Sequence, residues 1–112
     1  MGKIIAEVTV VPLGTATTSL SNFVAEAEKV LLKFPNLKSL LTPMSTILEG
    51  DMDEIIKAVK AMHEVPFKMG TLRVSTTLRI DDRRDKESTM TGKVASVKEK
   101  LKKKIDRENN TI

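Results

Sequence analysis

The sequence predicts one α+β domain in which two helices cover one face of a four-stranded antiparallel sheet. Two observations support this prediction. Stretches in which apolar and polar residues alternate, as in strands, are separated by stretches whose apolar residues recur at i, i+3, i+4 and i+7, as in one-sided helices. The chain has 112 residues, of which 40% are hydrophobic, and this is enough for a single modest core. We therefore predict one domain over residues 1–112.

The composition narrows the classes of protein that fit this chain. It contains no cysteine, so disulfides and thiol chemistry are excluded and a cytoplasmic location is favoured. No apolar run is long enough for a transmembrane helix, and the first ten residues have a strand pattern, so we expect no signal peptide. The formal net charge of +4 belongs to the segment from Lys93 onward, where seven basic and three acidic residues lie. The rest of the chain is neutral.

The first strand and the first helix follow each other at the start of the chain. Residues 4–12 alternate as a strand and end at a proline. A hydroxyl-rich loop comes next, and we expect Ser19 to be the N-cap of the first helix. The apolar residues between Leu20 and Leu31 fall on one side of that helix. Pro35 ends it, because proline disfavours helical geometry in the residue before it.

A hairpin and a second helix are expected in the middle of the chain. Residues 37–42 and 45–49 form two short strands joined around Pro43. The second helix follows, because Asp51 and Glu54 have the spacing of a capping box. Its apolar stripe points toward the same core as that of the first helix.

The second helix ends before the longest strand of the chain. Pro66 is expected to kink the helix or to end it near Glu64, and Met69-Gly70 is a C-cap signal. The segment from Arg73 to Lys86 reads RVSTTLRIDDRRDK. Its first nine residues alternate as a two-faced strand. The alternating charges of residues 81–86 favour a network that neutralises itself at the strand end or between subunits, and the alternative is a site for a ligand or a metal.

The order of the elements defines the topology. The predicted order is strand, helix, strand, strand, helix and strand, which is the ferredoxin-like βαββαβ plan. In this plan strands one and three are central in the sheet, and the long strand flanks strand one. Pairing of the long strand with strand one places Glu7 opposite Arg79 and Thr9 opposite Thr77. Both main helices then cover the same sheet face.

A basic helix is expected after the last strand of the βαββαβ order. Residues 88–92 form a loop, and Ser96 with Glu99 forms a capping box. Val97, Leu101 and Ile105 make a narrow apolar stripe. Residues 92–112 are therefore a basic C-terminal helix and tail, which we expect to fray from Asn109 onward.

The sheet face without helices mixes aliphatic and polar side chains. It carries Ile5, Glu7, Thr9, Val11, Ser45, Ile47, Glu49, Arg73, Ser75, Thr77 and Arg79. A cluster of exposed aliphatics favours an interface, and a long edge strand is usually paired or covered. Both features predict a homo-oligomer, and the alternative is a solvated sheet with a few surface aliphatics.

Several strings of the sequence match a known family. They are IIAEVTVVPLG, SLSNFVAEA, LTPMSTILEGD, RVSTTLRIDDRRDK and GKVASVKEKL. Between Ile4 and Leu101 the chain resembles the small thiamine-binding protein family. The resemblance implies a ferredoxin-like subunit, dimers that extend the sheet and tetramers that stack sheets. It also implies binding of thiamine, or of its hydroxymethylpyrimidine half, without catalysis. Ser45 stands where such proteins often have glycine, and Pro66 is a second departure.

Thiamine is a cation with an aminopyrimidine ring, so its site needs a carboxylate, hydroxyls and an apolar wall. The chain offers all three kinds of side chain. The candidate ligand-binding residues are Glu7, Thr9, Phe23, Thr42, Met44, Thr46, Glu49, Arg73, Ser75, Thr77 and Asp81. We predict no catalytic residue, no metal site and no cofactor, with thiamine as the candidate ligand.

Other functions find less support in the sequence. His63 is the only histidine, which excludes a histidine-based transition-metal site, and no nucleophile has a plausible base, so we predict that the protein is not an enzyme. No aromatic residue lies on a strand, so we do not expect stacking of RNA bases on the sheet. The alternative function is a structural or regulatory oligomer that binds another protein or nucleic acid through the open sheet or the basic helix. We expect no membrane partner.

Overall fold

The structure is a computed structural model that describes residues 3–109. It contains four strands and three α-helices, with a short 3₁₀ turn at Leu31–Lys33. The elements in chain order are β1 (Ile4–Leu13), α1 (Ser21–Val30), β2 (Lys38–Leu41), β3 (Thr46–Gly50), α2 (Met52–Lys68), β4 (Arg73–Asp81) and α3 (Met90–Asn109). The predicted α+β class and the ferredoxin-like order are confirmed.

The four strands form one antiparallel sheet with the order β2-β3-β1-β4. β1 and β3 are central and β4 flanks β1, as the topology predicts. Glu7 lies opposite Arg79, and Thr9 lies opposite Thr77, so the predicted register is also confirmed. The register follows from burial, because a shift by one residue would turn the apolar residues of β1 toward water.

The core lies between one face of the sheet and the helices α1 and α2. Its buried residues are Ile4, Ala6, Val8, Ala27, Leu48, Ile55, Val59, Met62 and Val65. Alternate residues of β1 point into this core, and Ala6 and Leu48 face each other across the β1–β3 pair. The opposite side of the sheet is called the open face below. It carries Ile5, Glu7, Ile47 and Glu49.

Two predicted helix starts are wrong. α1 begins at Ser21, and the side chain of Ser19 does not cap it; the Ser19 N–H instead donates to Thr17 Oγ1 at 3.1 Å. α3 begins at Met90 rather than at Ser96. Thr89 caps it, since its Oγ1 accepts the N–H of Gly92 at 2.9 Å.

The second helix is capped as predicted at both ends, and it does not end near Glu64. Asp51 Oδ2 accepts the N–H groups of Asp53 and Glu54 at 3.1 and 3.3 Å, and Met69 with Gly70 at φ +98° closes the helix. Pro66 does not end it, because the helix continues to Lys68. The Pro66 side chain is fully buried, so its packing offsets the backbone hydrogen bond that a proline lacks.

The final helix covers one end of the open face and then leaves the domain. The Met90 N–H donates to Glu49 Oε1 at 2.8 Å, and Lys93 pairs with Asp81. Glu49 is only 3% exposed for this reason. No described residue of α3 is buried. The open face is therefore less open than the sequence predicts at this end, and the predicted fraying beyond Asn109 falls on residues 110–112, outside the described part of the chain.

The charged segment after β4 pairs with itself, as its alternating signs predict. Arg83 pairs with Asp85, and Arg84 pairs with Asp82. The hydrogen bonds from Arg83 lower the pKa of Asp85 to about 2. The hydrogen bond from Arg84 lowers the pKa of Asp82 in the same way.

Candidate ligand-binding site

A cavity of about 280 Å³ opens between α1, the end of β1 and the turn that joins β2 to β3. We call it the hairpin cavity. Its walls are mostly apolar, and polar groups enter them from α1 and from the turn. Its lining includes Thr9, Val10, Val11, Leu20, Val24, Ala27, Glu28, Leu41, Thr42, Pro43, Met44, Ser45, Thr46 and Met62. No lysine or arginine is among these lining residues.

Glu28 supplies the carboxylate of the hairpin cavity. It lies in α1, and its Oε1 accepts a hydrogen bond from the Thr46 hydroxyl at 2.9 Å. Thr46 is 5% exposed, so this contact is largely shielded from water. The other oxygen, Oε2, is buried and has no hydrogen-bond partner among residues 3–109. A buried polar atom without a partner costs about 1–3 kcal/mol, so this oxygen is a position where a donor would stabilise the structure.

The turn at residues 42–45 is fixed by its own hydrogen bonds. Thr42 Oγ1 accepts the Ser45 N–H at 3.0 Å and donates to the Ser45 carbonyl at 2.8 Å. The Thr42 N–H donates to the same carbonyl at 2.8 Å. The predicted hairpin is therefore present, and a four-residue turn around Pro43 closes it. The result is one rigid wall of the hairpin cavity, with Met44 exposed at its tip.

The same turn is connected to the open face of the sheet. The Ser45 hydroxyl donates to Glu7 Oε2 at 2.9 Å. Glu7 Oε1 in turn pairs with Arg79 Nη2 at 3.2 Å. Glu7 thus supports the cavity wall through Ser45 without lining the cavity itself.

The candidate residues from the sequence separate into two groups. Thr9, Thr42, Met44 and Thr46 line the hairpin cavity. The remaining candidates lie elsewhere: Glu7 and Glu49 on the open face, Asp81 beside α3, Phe23 on α1 away from the lining, and Arg73, Ser75 and Thr77 exposed on β4. The structure therefore brings together four of the eleven candidates at the hairpin cavity.

Glu28 is the polar group that the sequence reasoning did not select. A signal for it exists in the helix pattern. Leu20, Val24 and Glu28 are spaced by four residues and therefore share one face of α1. The first two residues of this row are apolar, so an acidic residue in the third place is out of pattern and marks a polar group that points toward the interior.

A second cleft, of about 390 Å³, lies between the start of β1, the N-terminus of α2 and the charged segment. Asp82, Arg83 and Arg84 line it. The two arginines already pair with neighbouring aspartates, and the N-terminus of α2 is capped by Asp51. The arginines of this cleft are therefore already engaged, which makes it a weaker candidate than the hairpin cavity.

Two other properties bear on the choice of ligand. Within residues 3–109, no group of three or more histidine or acidic side chains is placed to hold a metal ion. None of the helices in this part of the chain is both long and apolar enough to span a membrane.

Comparison with known proteins supports the resemblance seen in the sequence. A family model described as thiamine-binding protein matches residues 6–98. An UPF0045 protein of Methanothermobacter thermautotrophicus is 52% identical over 99 residues, covering 88% of this chain and 99% of the relative. The UPF0045 protein YqgV of Bacillus subtilis is 44% identical over 100 residues, covering 87% of this chain and 96% of the relative.

Solved structures agree with the fold. The hypothetical protein MJ1052 of Methanocaldococcus jannaschii superimposes with a TM-score of 0.81 at 41% identity, covering 88% of this chain and 99% of that one. A Thermotoga maritima protein proposed to serve thiamine biosynthesis or salvage has a TM-score of 0.69 at 23% identity, covering 85% of this chain and 98% of that one. At this identity the second likeness shows the fold alone. The match over residues 6–98 and the relatives above 40% identity show that the chain belongs to the thiamine-binding protein family.

Proposed function

We propose that this protein binds thiamine, or its hydroxymethylpyrimidine half, in the hairpin cavity and does not convert it. The observation that carries the proposal is the buried, unpaired carboxylate oxygen of Glu28, a residue that lines a cavity with mostly apolar walls. An aminopyrimidine presents N–H donors on a flat apolar ring, and thiamine adds a positive charge. A single carboxylate surrounded by aliphatic and methionine side chains suits both properties.

The volume and the lining restrict what the hairpin cavity holds. Ligand sites in proteins usually measure roughly 300–1,000 Å³, so a cavity of about 280 Å³ suits one small ring better than a large cofactor. The pyrimidine ring is therefore placed inside, and the thiazolium of thiamine extends toward the mouth near Met44. The polar lining consists of one carboxylate and several hydroxyls, with no histidine, lysine or arginine among the residues named above. This lining supports binding alone.

Calorimetry and thermal shift with thiamine and hydroxymethylpyrimidine test the proposal. Each ligand is titrated up to millimolar concentration against protein that has been unfolded and refolded to remove any carried ligand. We expect a saturable signal that Glu28→Ala abolishes. Glu26→Ala is the matched control, because Glu26 lies on the same helix and is exposed. The absence of any heat or shift with both ligands would exclude this function.

We further propose that the protein works as a cytoplasmic homotetramer built as a dimer of dimers. β4 supports this, because its nine residues pair with β1 on one side only and form a free edge of the sheet. The open face supports it as well, since the aliphatic residues Ile5 and Ile47 lie there and are only partly buried. Light scattering coupled to size exclusion checks the assembly, and a strict monomer at micromolar concentration would contradict it.

One observation favours a second candidate function. α3 has no buried residue along its described length, and its apolar stripe of Val94, Val97, Leu101 and Ile105 is 48–65% exposed. A basic amphipathic helix of this kind suits an acidic protein partner or nucleic acid. RNA binding that is strong at low salt, weak at moderate salt and lost on deletion of residues 98–112 would support it. RNA binding that survives the deletion would assign it to another part of the molecule.

A further inference from the structure

We propose that Glu28 determines which pyrimidines the hairpin cavity accepts, selecting a ring with an amino group over the same ring with a carbonyl oxygen. This inference rests on the proposed function and names the chemical class of its ligand. The class is an aromatic ring that presents an exocyclic amino group to the Glu28 carboxylate. Thiamine and hydroxymethylpyrimidine belong to this class because both carry a 4-amino group. Their 4-oxo analogues carry a carbonyl acceptor at this position, and their N–H lies on the ring instead.

The hydrogen bonds around Glu28 leave room for one further interaction, a hydrogen bond donated to Oε2. An ionised carboxylate only accepts hydrogen bonds. Oε1 already accepts from Thr46, whose single hydroxyl proton is used in that contact. Oε2 has no donor within the described part of the chain, and the residues that line the cavity together with Glu28 include the apolar Val24, Ala27 and Met62. A ligand therefore has to bring the missing donor.

The charge of the cavity favours the same choice. The lining contains one acidic side chain and no basic one, so nothing at the site compensates the Glu28 carboxylate. A ligand carbonyl placed against Oε2 would bring two acceptors together and leave both without a proton. An amino group in the same place supplies the proton, and a cationic ligand also offsets the charge.

Contact with the ligand requires a small movement of Glu28. Oε2 is buried from solvent although Glu28 lines the cavity, so the side chain has to rotate until this oxygen faces the cavity. Such a rotation is consistent with the cost of leaving the oxygen unpaired, because the new hydrogen bond removes that cost. Thr46 keeps Oε1 in place during the movement and thereby limits the positions that Oε2 can reach.

The test compares affinities for two matched ligand pairs. The first pair is thiamine and its 4-oxo analogue oxythiamine. The second pair is hydroxymethylpyrimidine and its 4-oxo analogue. In the wild-type protein, we expect calorimetry to give a preference for the amino ligand on the order of 10- to 100-fold, the usual effect of a hydrogen bond to a charged group.

Glu28→Gln is the informative variant, since its amide offers both a donor and an acceptor. We expect the preference to fall to within about threefold, because either ligand then finds a complementary group. Glu26→Gln on the exposed side of α1 should keep the wild-type ratio. Thr46→Val should weaken the amino ligand while preserving the order of the pair.

The outcomes separate this inference from the function it rests on. Equal affinity of the wild-type protein for both members of each pair would overturn the role of Glu28 while leaving thiamine binding intact. Binding of neither member would exclude the proposed function and this inference with it. The ratio in the wild-type protein decides the matter even if Glu28→Gln does not fold.

Discussion

The unpaired oxygen of Glu28 predicts that the ligand site reduces the stability of the ligand-free protein. We consider the double substitution Glu28→Met and Thr46→Val, which replaces both hydrogen-bonding partners by apolar side chains of similar shape. Removing the buried Oε2 relieves about 1–3 kcal/mol, whereas the lost Glu28–Thr46 hydrogen bond costs about 0.5–1.5 kcal/mol. The double variant should therefore be more stable than the wild type by about 1 kcal/mol.

The single substitutions complete a double-mutant cycle. Glu28→Met alone leaves the buried Thr46 hydroxyl without its acceptor, and this offsets most of the gain. We therefore expect this variant to lie close to the wild type. Thr46→Val alone leaves both oxygens of Glu28 without a donor and should be the least stable of the four proteins.

Urea unfolding of ligand-free protein measures these differences. The protein concentration is kept the same for all four variants, because self-association and bound ligand both stabilise the folded state. A gain of 1 kcal/mol corresponds to an increase in Tm of roughly 4–8 °C for a domain near this size. The double variant should also have lost ligand binding. If it is less stable than the wild type by more than about 1 kcal/mol, the assumption that Oε2 is unsatisfied in the free protein is wrong.

Three further predictions concern the scaffold. Leu48→Ala, at a core position with no solvent exposure, should cost about 2–5 kcal/mol in urea unfolding. Asp51→Ala should lower the free energy of unfolding by about 0.5–2 kcal/mol, because the α2 cap is lost. Ser19→Ala should change it by no more than about 0.5 kcal/mol, since Ser19 does not cap a helix. Equal losses in the two variants would contradict the assignment of the caps. The pKa of Asp85 is lowered to about 2 from its usual 3.8. Its contact with Arg83 should therefore be complete above pH 3.8 and be lost as the pH falls through about 2, and NMR titration of the carboxylate would detect a normal pKa if the pairing were absent.

The topology was predictable because it depends on local periodicity and on general rules of connection. The alternation in β1 and β4 defines which residues face the core, and a slip by one position would expose Ala6 and Val8. The pairing of Glu7 with Arg79 then follows from the strand order. These features require no knowledge of contacts between distant residues.

The starts of α1 and α3 were not predictable in the same way, since contacts outside the cap pattern decide them. Thr89 rather than Ser96 begins α3, because Glu49, far away in the sequence, accepts the N–H of Met90. Near α1, several hydroxyls compete within a few residues, and Thr17 takes the Ser19 N–H. A pattern of residue types identifies possible caps but does not rank them.

The candidate site was predictable in its chemistry more than in its location. Carboxylates and hydroxyls were expected, and the hairpin cavity contains both. The carboxylates predicted from the sequence lie on strands, however: Glu7 and Glu49 are on the open face, and Asp81 pairs with Lys93 of α3. Glu28 was missed because an acidic residue on a helix is usually exposed to solvent. Its spacing of four residues from Val24, and of eight from Leu20, is the signal that it lies on the same side of the helix as these apolar residues. Strand alternation sorts residues between faces, but it does not show where a helix and a turn enclose a cavity.

Ser45 connects the hairpin cavity to the open face of the sheet in this chain. The resemblance implies that glycine is frequent at this position, and glycine has no hydroxyl to donate to Glu7. The 2.9 Å contact between Ser45 and Glu7 therefore connects the wall of the hairpin cavity to a side chain on the open face, where Glu7 also pairs with Arg79. Because Thr42 is held by the same turn, any partner that rearranges Glu7 also acts on the wall of the hairpin cavity. In this protein, the polar side of the sheet thus contributes to the candidate site by positioning the turn, while the hairpin cavity itself opens between that turn, α1 and the end of β1.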